Sequence, residues 1–336
     1  MKALITGVGG SIGVHVMCHL FHNTDWEIVG IDSFRHKGLT DRVEECLKDH
    51  PDWRPRLALY PHDLTAPISS LLQQKIGTVD YVFNLASLSD VHDSIEHPEP
   101  FVLNNIQVIL TMLEYARKAK PKAFIQISTD EVYGPVGETG EHPEWSSIMP
   151  SNPYSASKAS QECIAIAYWR SYGVPLILVN TMNNFGEMQQ ANKFPAMVQK
   201  RVSAGETVTI HGNETTIGSR HYLHSRNFAD ALLFIVKNCP PYLHQEGHID
   251  RPIRLNVVGD RRIDNLQLAQ MIAGILGKEL KYEFADFKTV RPGHDRHYGL
   301  DGKKLADLGW VAPNTLERSL KDTIEWTQTH AEWLDT

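Results

Sequence analysis

The chain has 336 residues, 42% of them hydrophobic and 22% charged, with a formal net charge of -7. That is the profile of a globular protein with one large α/β unit or about two domains. The acidic balance excludes a broad basic footprint for nucleic acid, and no apolar run approaches the length needed to span a bilayer.

The chain opens directly into a strand pattern with no basic stretch and apolar signal core before it, so a cytoplasmic location is expected. Short apolar runs at Ala3–Thr6, Ile28–Asp32, Leu57–Tyr60, Tyr81–Ala86, Phe124–Thr129 and Leu176–Asn180 read as buried strands. Between them lie helical patterns near Ile12–Phe21, Thr40–Lys48, Ser69–Lys75, Glu99–Lys118 and Pro153–Tyr172. Alternating strands and helices predict a doubly wound, parallel Rossmann sheet covered on both faces. After Asn180 the rhythm breaks, with Gly and Asn at Asn183–Gly186 and Gly212–Gly218 and a Pro-Gly step at Pro292-Gly293. Residues 1–180 are thus expected to form the cofactor-binding domain and 181–336 mainly a smaller, mixed α/β substrate-binding lobe. Segments near 227–237 and 255–258 are expected to return to the first domain. Cys18, Cys46, Cys163 and Cys239 form no Cys-x-x-Cys pair, so free thiols are expected, with neither a disulfide framework nor a zinc site.

The first strand runs into Gly7-Val-Gly-Gly10-Ser-Ile-Gly13 and then an amphipathic helix. Glycines at this spacing permit a tight turn and a close approach of backbone to a pyrophosphate, and the helix start offers N–H groups to its charge. A glycine triplet alone is weak. Asp32 at the end of the second strand strengthens it, because a carboxylate there can hold the adenosine ribose hydroxyls and would repel a 2′-phosphate. NAD is therefore expected in preference to NADP, with Asp63 and Leu64 beside the adenine, while Arg35 lies close by as a positive charge that counts slightly the other way.

Tyr154-Ser-Ala-Ser-Lys158 places a phenol and an ammonium on one helical face. Such pairs are common by chance on surface helices. Here the pair accompanies Ser128-Thr-Asp-Glu-Val-Tyr-Gly134 at the carboxyl end of a buried strand, where open α/β sheets bind ligands. Lys158 would lower the Tyr154 pKa so that the phenol can take a hydroxyl proton. Asp130 and Glu131 offer the acid and the base that elimination of water needs.

At these residues the sequence resembles the extended short-chain dehydrogenase/reductases, the NAD-dependent epimerases and dehydratases, and most of all their dTDP-glucose 4,6-dehydratase branch. The resemblance continues through Asn183-Asn-Phe-Gly186, Gly218-Ser-Arg220, Arg291-Pro-Gly-His-Asp-Arg296 and Leu308-Gly-Trp310. It implies that Tyr154 deprotonates the hydroxyl on sugar carbon 4 as hydride passes to NAD, with Thr129 bonded to that oxygen. Glu131 then removes the proton on carbon 5, Asp130 protonates the departing carbon-6 hydroxyl, and hydride returns to carbon 6. It further implies cofactor contacts from Gly7, Gly10, Ser11, Ile12, Gly13, Asp32, Asp63, Leu64, Leu85, Ala86, Asn105, Tyr154, Lys158 and Asn184. Substrate contacts would come from Ser89, Thr129, Asn183, Lys193, Arg220, Asn256, Arg291 and His294, arginine being suited to diphosphate by its planar fork.

Several positions depart from the family pattern. Leu88 stands for a glutamate, Asp90 for a histidine, Asp93 for an arginine, Asn180 for an arginine and Glu187 for a proline, and Ser225-Arg-Asn227 replaces Val-x-Asp. The chemistry residues are intact while their surroundings differ, which leaves base and hexose open. The alternatives are a 4-epimerase, a decarboxylase or a UDP-sugar dehydratase on the same scaffold, and a non-catalytic NAD-binding sensor. An epimerase needs Tyr154 and Lys158 but not the Asp130/Glu131 pair. His221-x-x-His224 lacks a third ligand of fitting spacing, so no metal is expected. Apolar residues on more than one face of the helices at Glu99–Lys118 and Pro153–Tyr172, together with the family's habit of pairing these helices, predict a homodimer.

Overall fold

The computed structural model describes residues 1–36, 38–241, 250–286 and 296–335. The expected strands appear as β1 Lys2–Thr6, β2 Glu27–Asp32, β3 Leu57–Pro61, β4 Tyr81–Asn84, β5 Ala123–Thr129 and β6 Leu176–Thr181. The helices between them are α1 Gly13–Asn23, α2 Leu39–Leu47, α3 Ser70–Ile76, α4 Val91–Glu96, α5 Pro98–Ala119 and α6 Pro153–Tyr172. A further strand, β11 Ile253–Val257, pairs in parallel with β6, giving a seven-stranded sheet of order β11-β6-β5-β4-β1-β2-β3. All its neighbours run parallel. Both faces of these strands are apolar because both are covered. Ala3, Ile5, Phe83, Ile125 and Ile177 pack toward α1 and α8 Ser225–Asn238, while Leu4, Val29, Val82, Phe124 and Leu176 pack toward α5 and α6.

The remaining chain builds a lobe from β7 Asn183–Phe185, α7 Phe194–Ala204, β8 Val208–Asn213, β9 Thr216–Ile217, β10 Ser219–His224, β12 Arg262–Asp264, α9 Asn265–Leu276 and β13 Tyr282–Ala285. Its two small sheets, β12-β10-β7 and β13-β8-β9, mix parallel and antiparallel pairs. A separate core holds the lobe together, with Val198, Val208, Tyr222, Leu268 and Ile272 packed against Leu316 and Leu320 of the helix Leu316–Thr329.

Two local features differ from the sequence reading. A short helix, α4, precedes the expected one and is absent from the sequence reading; Asp90 caps its start by accepting from the amides of His92 (2.9 Å) and Asp93 (3.3 Å). Cys18 on α1 and Cys46 on α2 are joined as a disulfide, with Cα atoms 6.2 Å apart, which corrects the expectation of four free thiols. The two helices lie side by side on one face of the sheet. That proximity is set by the crossovers and not by any cysteine spacing. Among the described residues no helix is long and apolar enough to cross a membrane.

Candidate active site

From β1 the chain moves outward to β2 and β3 on one side of the sheet, then returns to β4, β5 and β6 on the other. The loops after β1 and β4 therefore diverge and leave a crevice at the carboxyl edge. A cleft of about 370 Å3 occupies it. At one end the glycine turn is stitched by Gly7 N–H to the Ile31 carbonyl (2.8 Å) and Gly10 N–H to the Gly7 carbonyl (3.0 Å). Gly7 has φ +68°, and a Cβ at Gly13 would lie 2.1 Å from the Gly7 oxygen, so neither position admits a side chain. Val14 N–H closes back on the Gly10 carbonyl (3.0 Å), while the first turn of α1 holds no acidic residue and no side-chain cap, so an anion meets the positive end of the helix there unopposed. Asp32 braces the turn, accepting from Gly9 N–H (3.1 Å) and Phe34 N–H (3.1 Å). Asp63, Leu64, Leu85 and Ala86 line the same end. This backbone cradle with a carboxylate at the end of β2 fits a dinucleotide.

The other end is built by β5 and α6. Every residue of β5 is buried. Thr129 ends it and, with Asp130–Tyr133 in a single 3-10 turn, brings both carboxylates over the cleft. Helix α6 begins where Asn152 and Ser155 form a reciprocal capping box ahead of Pro153. Tyr154 and Lys158 then sit one turn apart on its cleft face. The Thr129 hydroxyl donates to Asp130 Oδ1 (2.9 Å), while Asp130 Oδ2 is buried with no partner among the described residues. Burial, and then the neighbouring Glu131 charge, raise the Asp130 carboxyl to about 7, so it keeps a proton where an ordinary aspartate is ionised. Glu131 accepts from Asn152 Nδ2 (3.2 Å) and from the Tyr298 hydroxyl (3.3 Å).

Lys158 is buried, and its ammonium donates to the Ile127 carbonyl (2.8 Å) and Gln161 Oε1 (2.7 Å). Burial lowers it to about 8, opposed by the Glu162 carboxylate. The Tyr154 phenol is pushed well above its ordinary range by burial and then by Glu131 and Asp130. The expected lowering by Lys158 is absent from this arrangement, because the ammonium is held by Ile127 and Gln161 while two carboxylates face the phenol.

Ser89, Asn183, Asn184 and Lys193 also line the cleft, where Lys193 pairs with Asp90 (3.1 Å). Asn105 does not line it. It is fully buried behind the wall, gripping both backbone groups of Leu88 (2.9 and 3.1 Å) and the Ser157 hydroxyl (2.8 Å), so it positions the β4–α4 loop and α6. Nor does Asn256 line the cleft. Its amide donates to the carbonyls of His142 (3.1 Å) and Asp301 (3.0 Å), because β11 is the edge strand and pins those segments to the sheet. Arg220 stacks on Tyr298, 4.4 Å from the ring centre, and so reaches the Glu131 end of the cleft through that ring. Arg291 and His294 lie outside the described residues.

Tyr298 was not singled out in the sequence, although it closely follows the Arg291–Arg296 motif. Arg35 donates to Asp63 (2.8 Å) and Asn104 (2.7 Å) at the adenosine end, which removes it as a free cation for a 2′-phosphate. Two departures from the family pattern answer each other: Glu187 pairs with Arg226 (2.6 Å) of the Ser225-Arg-Asn227 segment. At Asn180 the amide donates to the Thr129 carbonyl (3.1 Å) and to Glu162 (2.8 Å), and the cation that Glu162 needs comes from Arg254 on the adjacent strand β11.

A family model described as GDP-mannose 4,6 dehydratase matches residues 4–323. The chain is 32% identical to dTDP-glucose 4,6-dehydratase 1 of Escherichia coli, over all of this chain and 95% of that one. It is 30% identical to the low-salt glycan biosynthesis protein Agl12 of Haloferax volcanii, over 97% of this chain and 98% of that one. Among solved structures it resembles a dTDP-glucose 4,6-dehydratase, DesIV, from Streptomyces venezuelae with NAD bound, with TM-score 0.85 and 26% identity over 100% of this chain and 99% of that one.

Proposed function

The chain belongs to the GDP-mannose 4,6-dehydratase family, within the NAD-dependent epimerases and dehydratases, and on that premise we propose that it is a nucleotide-sugar 4,6-dehydratase. It turns a dTDP-glucose-like hexose into the 4-keto-6-deoxy sugar. The observation that carries this reading is Asp130, a buried carboxyl held protonated to about pH 7 with one oxygen unpartnered among the described residues, beside a second carboxylate and on the same cleft as a Tyr/Lys pair one helix turn apart. A group that must give a proton to a leaving hydroxyl needs this state. An epimerase has no use for it.

Bound in the glycine cradle, NAD would supply the hydride acceptor for carbon 4 and the hydride donor for carbon 6. Tyr154 takes the proton of the carbon-4 hydroxyl; its phenol is raised by burial and by Glu131 and Asp130, which a cationic cofactor in the cleft would offset. Thr129 bonds the same oxygen. Lys158 holds the nicotinamide ribose with the donor left over from Ile127 and Gln161. Glu131, fixed by Asn152 and Tyr298, removes the carbon-5 proton, Asp130 protonates the carbon-6 hydroxyl as it leaves as water, and Glu131 gives a proton back to carbon 5 when hydride arrives at carbon 6. Ser89 and Asn183 meet the sugar, and Lys193, Arg220, Arg291 and His294 the diphosphate and nucleotide. Helices α5 and α6 leave Leu103, Ile106, Leu110, Cys163, Ile166 and Ala167 partly or fully exposed, a face suited to a homodimer.

Incubating the protein with a panel of nucleotide hexoses, followed by mass analysis, tests the reaction. Loss of one water from a dTDP- or other nucleotide-linked glucose is the expected result, and inversion at carbon 4 with unchanged mass would assign an epimerase instead. NAD should bind at least about tenfold more tightly than NADP, a difference of about 1.4 kcal/mol, because the Asp32 carboxylate beside the glycine turn would repel a 2′-phosphate and Arg35 is already paired. Asp32→Asn should bring the two affinities to within about threefold. Calorimetric titration with both cofactors checks this, and an unchanged preference would remove Asp32 from cofactor selection.

A further inference from the structure

A line of buried polar side chains crosses the middle of the parallel sheet, where strands covered on both faces usually carry aliphatic residues. Thr6, Asn84, Gln126 and Gln161 are each 0–1% exposed. Thr6 Oγ1 donates to Asn84 Oδ1 (2.7 Å), and Asn84 Nδ2 donates to Gln126 Oε1 (2.7 Å). Gln126 Nε2 donates to Gln161 Oε1 (3.2 Å), which also accepts from the Lys158 ammonium (2.7 Å). Gln161 Nε2 donates to the Asn105 carbonyl (2.7 Å).

The polarity of this line is fixed at both ends. Thr6 Oγ1 accepts the backbone N–H groups of Leu85 (3.1 Å) and Ala86 (3.1 Å), so its own hydrogen must point onward to Asn84. At the far end an ammonium can only donate, so Gln161 must present its oxygen to Lys158. Every amide between them is therefore oriented one way, and each bond strengthens the next in the dry interior. The line joins the strand that feeds the glycine turn, and the loop bearing Leu85 and Ala86, to the ammonium at the opposite end of the cofactor cleft.

We propose that Gln161 is a positioning residue for Lys158, its amide oxygen fixing the ammonium against Ile127 and holding it charged, with Gln126 and Asn84 keeping that oxygen in place. The inference rests on the reading of Lys158 as a cofactor-facing residue and goes beyond the reaction assigned above. A neutral lysine keeps only the two N–H donors that Ile127 and Gln161 already use and loses both the third, which would meet the cofactor, and its charge, and burial already favours the neutral form.

The test reads NAD affinity of the full-length protein by quenching of tryptophan fluorescence, at pH values on either side of 8, for wild type, Gln161→Met and Gln161→Glu. Wild type should lose affinity with a midpoint near 8. Gln161→Met keeps the length of the side chain but removes the acceptor, and its midpoint should fall by about one pH unit. Gln161→Glu restores an acceptor, and its midpoint should return to the wild-type value or exceed it. A side chain that only filled space would lower stability in both variants without moving the two midpoints apart. A wild-type profile with no transition near 8, or variants that share the wild-type midpoint, would overturn the assignment. Because NAD alone is the probe, failure to dehydrate any nucleotide hexose would count against the proposed reaction and leave a shifted midpoint standing.

Discussion

Tyr154→Phe is expected to lower turnover by about 10²–10⁴-fold, the usual contribution of a positioned general base, with NAD and substrate affinities within about threefold of wild type. The ring remains to pack in the half-buried site at the start of α6, so the capping box and helix should be undisturbed. What is lost is the phenolic oxygen that bonds Thr129 and faces the two carboxylates. The environment sharpens this expectation. With its phenol raised by burial, Glu131 and Asp130, Tyr154 is a poor base until a positive charge enters the cleft. The phenol should therefore ionise more readily in the NAD complex than in free protein, and an ultraviolet difference titration can read that change. Steady-state kinetics on the variant checks the main effect, and near-normal turnover would take Tyr154 out of the mechanism.

The second large effect separates oxidation from elimination. Asp130→Asn combined with Glu131→Gln keeps the size of both side chains and removes both proton-transfer groups. This double variant should still develop the absorbance of reduced cofactor when substrate binds, because Tyr154 and Lys158 are untouched. It should release dehydrated product at least about 10²–10⁴-fold more slowly than wild type. Wild type in isotopic water should carry solvent hydrogen at carbon 5, since Glu131 lies on the cleft and exchanges its proton with solvent.

The pH profile follows from the same residues. The acid form of Asp130 is present below about 7 and is lost as pH rises through that value, and the Lys158 charge is lost through about 8. Wild-type dehydration should therefore decline between about pH 7 and 8, and single-turnover measurements should show elimination failing before oxidation does. Dehydration by the double variant at the normal rate would leave Asp130 and Glu131 as bystanders.

The expected pairs at Asp130/Glu131 and Tyr154/Lys158 were legible because each is local. The two carboxylic acids are adjacent at the end of a strand whose burial shows in its apolar run, and the phenol and ammonium are one helix turn apart. The glycine turn was legible for the same reason, since its spacing and the strand before it specify a backbone shape within a dozen residues. Asp90 as the cap of α4 carried an equally local signal, an aspartate before a helical run, but that run is only six residues long, too short to show a helical period.

What the tertiary structure alone decided is how charges and amides far apart in the chain answer one another. That β11 would join β6 fixed Arg254 as the partner of Glu162 and turned Asn256 to internal bonding instead of the nucleotide. The lobe's approach to the first domain matched Glu187 with Arg226 and Lys193 with Asp90. The packing of α1 on α2 joined two cysteines 28 residues apart. The line from Thr6 to Lys158 needs β1, β4, β5 and α6 side by side before it is continuous. Hydrophobic period and turn chemistry act over a few residues and are written along the chain. The satisfaction of a buried polar group depends on which strand becomes its neighbour, and that is fixed only when the sheet is assembled.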